Sequence, residues 1–565
     1  MITSSIVKKR GGYLFACILM AGMVGCGGNG GSLSESSTKS GGNKGGNTGD
    51  GTAVTLTNIY SNPKDLGVGD VLFADLNNSA SLNFDGVDSG AEFVFGMINA
   101  SDSDGNYTVT MSGDLSEAEF DLAKEADPYQ PEEEEVPEQI TPGFNDLTEN
   151  FHVFLRDQEK ELESAEHPLG SSFSTGKSAG GGGVSASVSL GDKQSFKVLA
   201  SLNSTKEYVT VSATAECIGD NVIFFVDEEV STDVLSDADI AQLCDDFDPV
   251  VAEEESLFGS IPDVDGNGKV IALFTPQVNR LGGQGGGIIT GFFLANDLFA
   301  SSGSNPASNY AEILYIMVPD PSGSWGVTVS RTFAMSNLLP SVLPHELQHV
   351  INYNQHVFVA QGSAENSCLN EGLSHLAEDL MGQGQENPSR YGIYLSSPQS
   401  YSLISCASAG LGSRGGSYLF LRYLYEQSGK STAFLQRLIQ SPYQGIENLE
   451  RAFAGTAADF DQFGEFFLKF AVAITGITAD SEFSFQGRSR DSVTGEWQGA
   501  CVDCEAEDGR GTVLSGVTAA AYRGYQIAAT RPAAVRFFKI ANVNDALSFN
   551  SPSGGEGYGV LIRTK

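Results

Sequence analysis

Hydrophobic and polar positions change rhythm several times along the chain, and each change marks an element or a boundary. From about Val54 to Gly113, short apolar runs such as Val71-Leu72-Phe73-Ala74 and Ala91-Glu92-Phe93-Val94-Phe95-Gly96 are separated by Asn, Asp, Gly and Ser clusters, which predicts strands broken by turns. Ala123 to Pro142 places Pro128, Pro131 and Pro137 around Glu132-Glu133-Glu134-Glu135; it cannot pack a core and reads as a charged linker. Asn150 to Ala165 predicts a short helix, Gly180 to Gly183 a hinge, and Val184 to Ala215 a return to strand alternation. Near Asp237 the pattern becomes mixed. Val270 to Phe274 and Tyr310 to Val318 read as buried strands, Leu373, Leu376, Ala377 and Leu380 recur at helical spacing, and amphipathic helices continue to about Gly476. Beyond Glu496 the alternation is again that of strands, as in Val535-Arg536-Phe537-Phe538-Lys539-Ile540.

These shifts divide the chain into an N-terminal β-rich module (54–122), an acidic linker (123–142), a β-rich segment with a short helix (143–236), a mixed domain (237–480) and a C-terminal β-rich module (481–565). The fold class is α+β, and 565 residues suffice for two or three domains. The beginning reads differently. Lys8-Lys9-Arg10 precedes a small and apolar stretch too short to span a bilayer comfortably. It ends in Met23-Val24-Gly25-Cys26-Gly27, which resembles a bacterial lipoprotein signal (1–25), with an ordinary secretory signal as the alternative. Either form implies export. A lipidated Cys26 would anchor the protein to the cell envelope by several acyl chains, through a Gly/Ser-rich tether over 26–53.

Charge and cysteine content narrow the partners. A formal net charge of −39 argues against nucleic acid and anionic membrane surfaces. Once Cys17 and Cys26 are set aside, Cys217, Cys244, Cys368, Cys406, Cys501 and Cys504 remain, an even set suited to disulfides in an oxidising compartment and expected to pair in sequence order.

The chemistry concentrates in one stretch. In His345-Glu346-Leu347-Gln348-His349, positions four apart share a helical face, so two imidazoles can reach one small cation while Glu346 points beside it. Four of the 6 histidines, His345, His349, His356 and His375, lie in this neighbourhood. A catalytic zinc needs a third protein ligand and an open position for water. His356 lies seven after His349, but Asn352 and Gln355 stand where the metzincin arrangement needs glycine and its third histidine. Glu365 sits in a polar Gly- and Ser-containing loop, whereas Glu371 opens a second amphipathic helix that can face the first.

At His345-Glu-Leu-Gln-His-Val-Ile-Asn-Tyr353 and Leu369-Asn-Glu-Gly-Leu-Ser-His-Leu-Ala-Glu378 the chain resembles the gluzincin metallopeptidases, most of all the hyicolysin-type secreted bacterial proteases, over roughly residues 255 to 475. The resemblance implies a zincin catalytic domain, with a mixed sheet and a helical active-site half, flanked by the β-rich modules. It implies zinc held by His345, His349 and Glu371, Glu346 as general base for a zinc-activated water, and a peptide or protein substrate cut at internal bonds. Glu378 or Asp379 is a candidate acceptor for a ligand histidine; His375 stands where thermolysin has an aspartate in that role. Tyr418 is the candidate oxyanion donor, with His375 as rival and a core aromatic as the plain alternative. Two other classes of reading stand beside the endopeptidase: a zinc aminopeptidase or other metallohydrolase, and a surface binding protein whose metal helix is structural. Finally, Asp263-Val-Asp265-Gly-Asn267-Gly carries the spaced oxygens of a calcium loop, although position twelve is Phe274 instead of glutamate; a simple Asx turn into a strand is the alternative.

Overall fold

The computed structural model describes residues 61–77, 79–101, 106–115, 146–163, 187–404, 410–454, 456, 462–490, 495–506, 512–551 and 557–565. All of them fall within the compact unit Val54–Lys565. The expected leader, Cys26, the tether, the acidic linker and the Gly180–Gly183 hinge lie outside the described residues.

In chain order the first elements are β1 (Val71–Asp75), β2 (Ser79–Asn83), β3 (Glu92–Asn99) and β4 (Tyr107–Ser112), followed by helix α1 (Asp146–Glu163). Next come β5 (Lys193–Leu199), β6 (Tyr208–Ile218), β7 (Val222–Asp227), the helix α2 (Asp237–Phe258), β8 (Val270–Phe274), α3 (Pro276–Gly285), β9 (Gly291–Phe293) and β10 (Ile313–Ile316). The strands β5 to β10 form one six-stranded sheet in the order β5-β6-β7-β8-β10-β9. Its centre, β7-β8-β10, is parallel, and β9 closes one edge antiparallel to β10. The continuous apolar runs of β8 and β10 suit strands covered on both faces. The mixed domain therefore starts earlier than Asp237: β5 to β7 belong to its sheet. Sequence pattern detects strands but not which sheet they join, so the boundary at 237 marks the first helix of the domain and not its beginning.

The helical half follows as α4 (Leu339–Tyr353), α5 (Ser367–Leu380), α6 (Asn387–Ser396), α7 (Leu411–Gln427), α8 (Thr432–Ile439), α9 (Gly445–Phe453) and α10 (Phe463–Ala473). Two short hairpins, Ser489–Arg490 with Trp497–Gln498 and Asp503–Glu505 with Val513–Ser515, lead to β11 (Ala519–Ala521), β12 (Tyr525–Thr530), β13 (Ala534–Ala541), β14 (Ala546–Asn550) and β15 (Gly557–Arg563).

The strands from the two ends of the chain pair with each other. One sheet runs β1-β15-β3-β13-β11 and a second runs β12-β4-β14-β2. The modules expected at 54–122 and 481–565 are thus one structure. Its alternation shows why: Phe93, Phe95 and Met97 of β3 face the core shared with the second sheet, while Val94 and Ile98 face the large core of the mixed domain. A strand buried on both faces holds two layers together, and local patterning carries no trace of a partner more than 400 residues away.

Disulfides join Cys217 to Cys244 and Cys501 to Cys504. Cys368 is also disulfide-bonded, and Cys406, its expected partner, lies outside the described residues. Among the described residues no helix is long and apolar enough to cross a membrane.

Candidate active site

Helix α4 is buried along nearly its whole length, because Leu339, Val342, Leu343, Leu347, Val350 and Ile351 pack between the sheet and the neighbouring helices. It packs against β9 and β10 on one side and α5 on another. That seat leaves His345, Glu346 and His349 in the interior between sheet and helices, each under 7% exposed. The imidazole rings of His345 and His349 lie 5.0 Å apart, nearly perpendicular.

Glu371 comes from the first turns of α5. Its carboxylate approaches His345 Nε2 to 3.5 Å and His349 Nε2 to 3.7 Å, and neither of its buried oxygens accepts a hydrogen bond. The opposite ring nitrogens are occupied: Nδ1 of His345 lies 2.7 Å from Glu378 Oε1, and Nδ1 of His349 lies 2.9 Å from Asn370 Oδ1. With Nδ1 so engaged, Nε2 of each ring is left facing Glu371. Bonds of about 2.0–2.2 Å at tetrahedral angles separate ligand atoms by about 3.3–3.5 Å, so these three side chains fit a zinc ion. A second grouping, His345, His375 and Glu378, fits less well: Glu378 Oε1 lies 2.7 Å from His345 and 2.8 Å from His375, which are hydrogen-bond lengths. Glu378 is therefore the acceptor that orients His345, as anticipated, and Asn370 is its unanticipated counterpart for His349. Asp379 instead pairs with Arg422 at 2.8 Å and caps Gly499 N–H.

The close approach of α5 to α7 depends on Gly372. A Cβ there would stand 2.8 Å from Ser417 Cβ and 2.9 Å from the Ser417 backbone. This contact brings Arg414 of α7 to 3.5 Å from Glu371.

Burial and charge set the protonation states. Burial opposes ionisation of Glu371, but the Arg414 guanidinium and His345 outweigh it and hold the carboxyl well below its ordinary value. Burial, reinforced by the charge of Arg156, keeps His349 neutral far below its usual range. For His345 burial acts the same way, but the neighbouring carboxylates of Glu371 and Glu378 prevail and push it up to about 9. Burial raises Glu346 to about 7, against the positive charges of His345 and Arg156, and its carboxylate accepts the N–H of Phe293 on edge strand β9.

The remaining candidates are placed elsewhere. Glu365 accepts the N–H groups of Asn366 and Gly445, both at 2.6 Å, and Asn448 Nδ2 at 2.7 Å, so it pins the loop before α5 to the start of α9. His356 lies in a π-helical turn after α4, 3.9 Å from that same Glu365. Tyr418 is buried one turn after Arg414, its ring stacked on Tyr391 at 5.9 Å, with Asp379, Arg422 and Glu426 as charged neighbours. His375 pairs with Glu378 beside the His345 ring.

Helix α1 is the part of the site that sequence reading missed. Phe151 meets Phe292 of β9 edge to face at 5.3 Å, and Asn370 Nδ2 donates to Glu159 Oε2 at 3.4 Å. Arg156 and Glu159 form a buried pair at 2.9 Å. The helix is legible as amphipathic, but no local signal reveals where it docks.

No family model matches the chain. The chain is similar to the neutral metalloprotease ShpI of Staphylococcus hyicus, with 28% identity over 291 residues, covering 50% of this chain and 63% of that protein. The match thus spans less than two thirds of the relative's length.

Proposed function

We propose that the protein is an exported zinc-dependent endopeptidase of gluzincin type, with His345, His349 and Glu371 as metal ligands and Glu346 as general base. The observation that carries this reading is the convergence of two Nε2 atoms, 3.5 and 3.7 Å away, on one buried carboxylate whose oxygens accept no hydrogen bond. Similarity to a neutral metalloprotease supports the same chemistry.

Zinc held by this triad supplies Lewis acidity, acidifying a water and polarising the scissile carbonyl. The other tasks belong to the chain. Glu346 takes the proton from the attacking water and returns it to the leaving amine, and a carboxyl tuned to about 7 can do both near neutral pH. Strand β9 offers the sheet edge along which an extended peptide can pair by main-chain hydrogen bonds. The Phe293 N–H ties that strand to the base, so substrate and proton acceptor share one frame. Glu378 and Asn370 orient the two imidazoles. Tyr418, packed on Tyr391 and beside Asp379, is assigned to the core and not to the oxyanion. Acyl chains at Cys26 are the assigned means of membrane attachment.

A mass-spectrometric digest of a denatured protein tests the reading. Internal cuts are expected, and Glu346→Gln should lower kcat/KM by several orders of magnitude while retaining zinc. Trimming from the N-terminus alone would favour an aminopeptidase, and unchanged cleavage by Glu346→Gln would remove the base from the account.

A further inference from the structure

The loop between α2 and β8 holds a second group of acids. Asp263, Asp265 and Glu312 bring carboxylate oxygens within 4.8 Å of one another. Glu312 comes from just before β10 and is 1% exposed. Its Oε1 accepts Val264 N–H at 2.6 Å, while its buried Oε2 has no hydrogen-bond partner. The nearest basic residue in sequence is turned away: Lys269 Nζ bonds to the carbonyls of Gly219 and Asp220. Asn267 Nδ2 donates to Asp265 Oδ2 at 2.7 Å while its Oδ1 accepts Lys269 N–H at 2.6 Å, and Gly266 and Gly268 adopt positive φ of 76° and 69° that turn the loop. Burial raises Asp265 to about 7 and Glu312 well above its normal value, so closing the cluster is costly for the charged forms without a compensating cation.

We propose that Asp263, Asp265 and Glu312 bind a calcium ion, with Glu312 supplying from a neighbouring strand the carboxylate that position twelve of the loop lacks. An all-carboxylate donor set suits a hard divalent cation, and an irregular loop suits calcium over the octahedral demands of magnesium. The ion joins the start of β8 to the start of β10, and β10 is one of the two strands against which the active-site helix packs.

Calcium is titrated into zinc-loaded full-length protein freed of other divalent ions. One tightly held calcium is expected, with Tm rising by roughly 5 °C at a hundredfold excess over Kd and no comparable effect of magnesium. Glu312→Gln and, separately, the surface variant Asp263→Asn should each abolish that increment. A wild-type Tm indifferent to calcium overturns the site, as does a response that survives in whichever variant folds.

A different observation concerns α1 and rests on the reading of the triad as the active site. The helix spans from the edge strand to the start of α5. Phe151 is fully buried against Phe292, Lys160 Nζ lies 3.3 Å from Ser367 Oγ, and Glu163 accepts Ala364 N–H at 2.5 Å. Between these anchors, His152 and Arg156 lie close enough to act electrostatically on His345 and Glu371, and on Glu346 and His349, respectively. We infer that α1 occupies the space a peptide pairing with β9 beside Glu346 would need, as an autoinhibitory plug, and that this arrangement is the latent form of the enzyme.

The full chain is compared with Phe151→Asp and with Arg156→Ala, measuring zinc transfer to a chromophoric chelator alongside peptide cleavage. Displacing the plug should speed zinc release at least tenfold and raise kcat/KM by a similar factor. Unchanged release in both variants overturns the plug, whatever the cleavage. Faster release with no cleavage by any variant retains the plug and counts against the protease.

Discussion

At the level of single residues, the site divides into atoms that face the proposed metal position and atoms that hold those atoms still. Glu371→Ala should abolish zinc binding, readable as metal content by plasma emission, because only two imidazoles would remain. Glu378→Ala and Asn370→Ala leave the ligands in place and free one ring each; a 10- to 100-fold loss of zinc affinity is expected from a competitive chelator titration. Histidine spacing alone placed His345 and His349 on one face and put Glu346 beside them. Spacing argues against His356 and helical periodicity favours Glu371 over the loop residue Glu365, but neither states what each atom touches. The structure separates them by what each oxygen or nitrogen already touches: Glu365 is saturated by loop N–H groups, and Glu371 is not. Asn370 had no readable signal, because an asparagine preceding the ligand says nothing about the ring across from it.

At the level of elements, the helices that carry the proposed ligands are positioned by packing that tolerates little change. Gly372→Val would force α5 from α7, whose Ser417 backbone already lies 2.9 Å from an added Cβ. Overpacking of this kind costs about 1–3 kcal/mol, and the expected result is a lower Tm together with lower zinc affinity. The N-terminus of α2 offers an electrostatic test. Burial works against the charge of Asp239, but hydrogen bonds from Arg331 and Ser236 prevail and lower its pKa. A carboxylate with a lowered folded pKa adds stability above its unfolded value of about 3.9 and loses it as pH falls. Arg331→Gln should therefore lower stability at pH 7 and make no difference in strong acid, by urea denaturation at each pH. Most helices and the strands β8 and β10 were legible from periodicity. The docking of α1 was not, because an amphipathic stripe states that a face is buried and not against what.

At the level of the whole molecule, the two chain ends build one β structure whose first sheet also forms a wall of the large core. Removing 481–565 would strip β3 of both neighbours, β13 and β15, and expose Val94 and Ile98. Such a truncation should fail to give a cooperative melt by calorimetry; a sharp, near-native transition would mean the mixed domain stands alone. This long-range closure was invisible to sequence patterning, which located the strands but assigned them to separate modules. The central claim is that two imidazoles and one carboxylate share a zinc ion. Zinc K-edge X-ray absorption of the full-length protein, beside Glu371→Ala, tests it most directly. One zinc with two imidazole shells and light oxygen donors at about 2.0–2.2 Å is predicted, lost in the variant. Sulfur ligation, or an unaltered spectrum at full occupancy in Glu371→Ala, would contradict it.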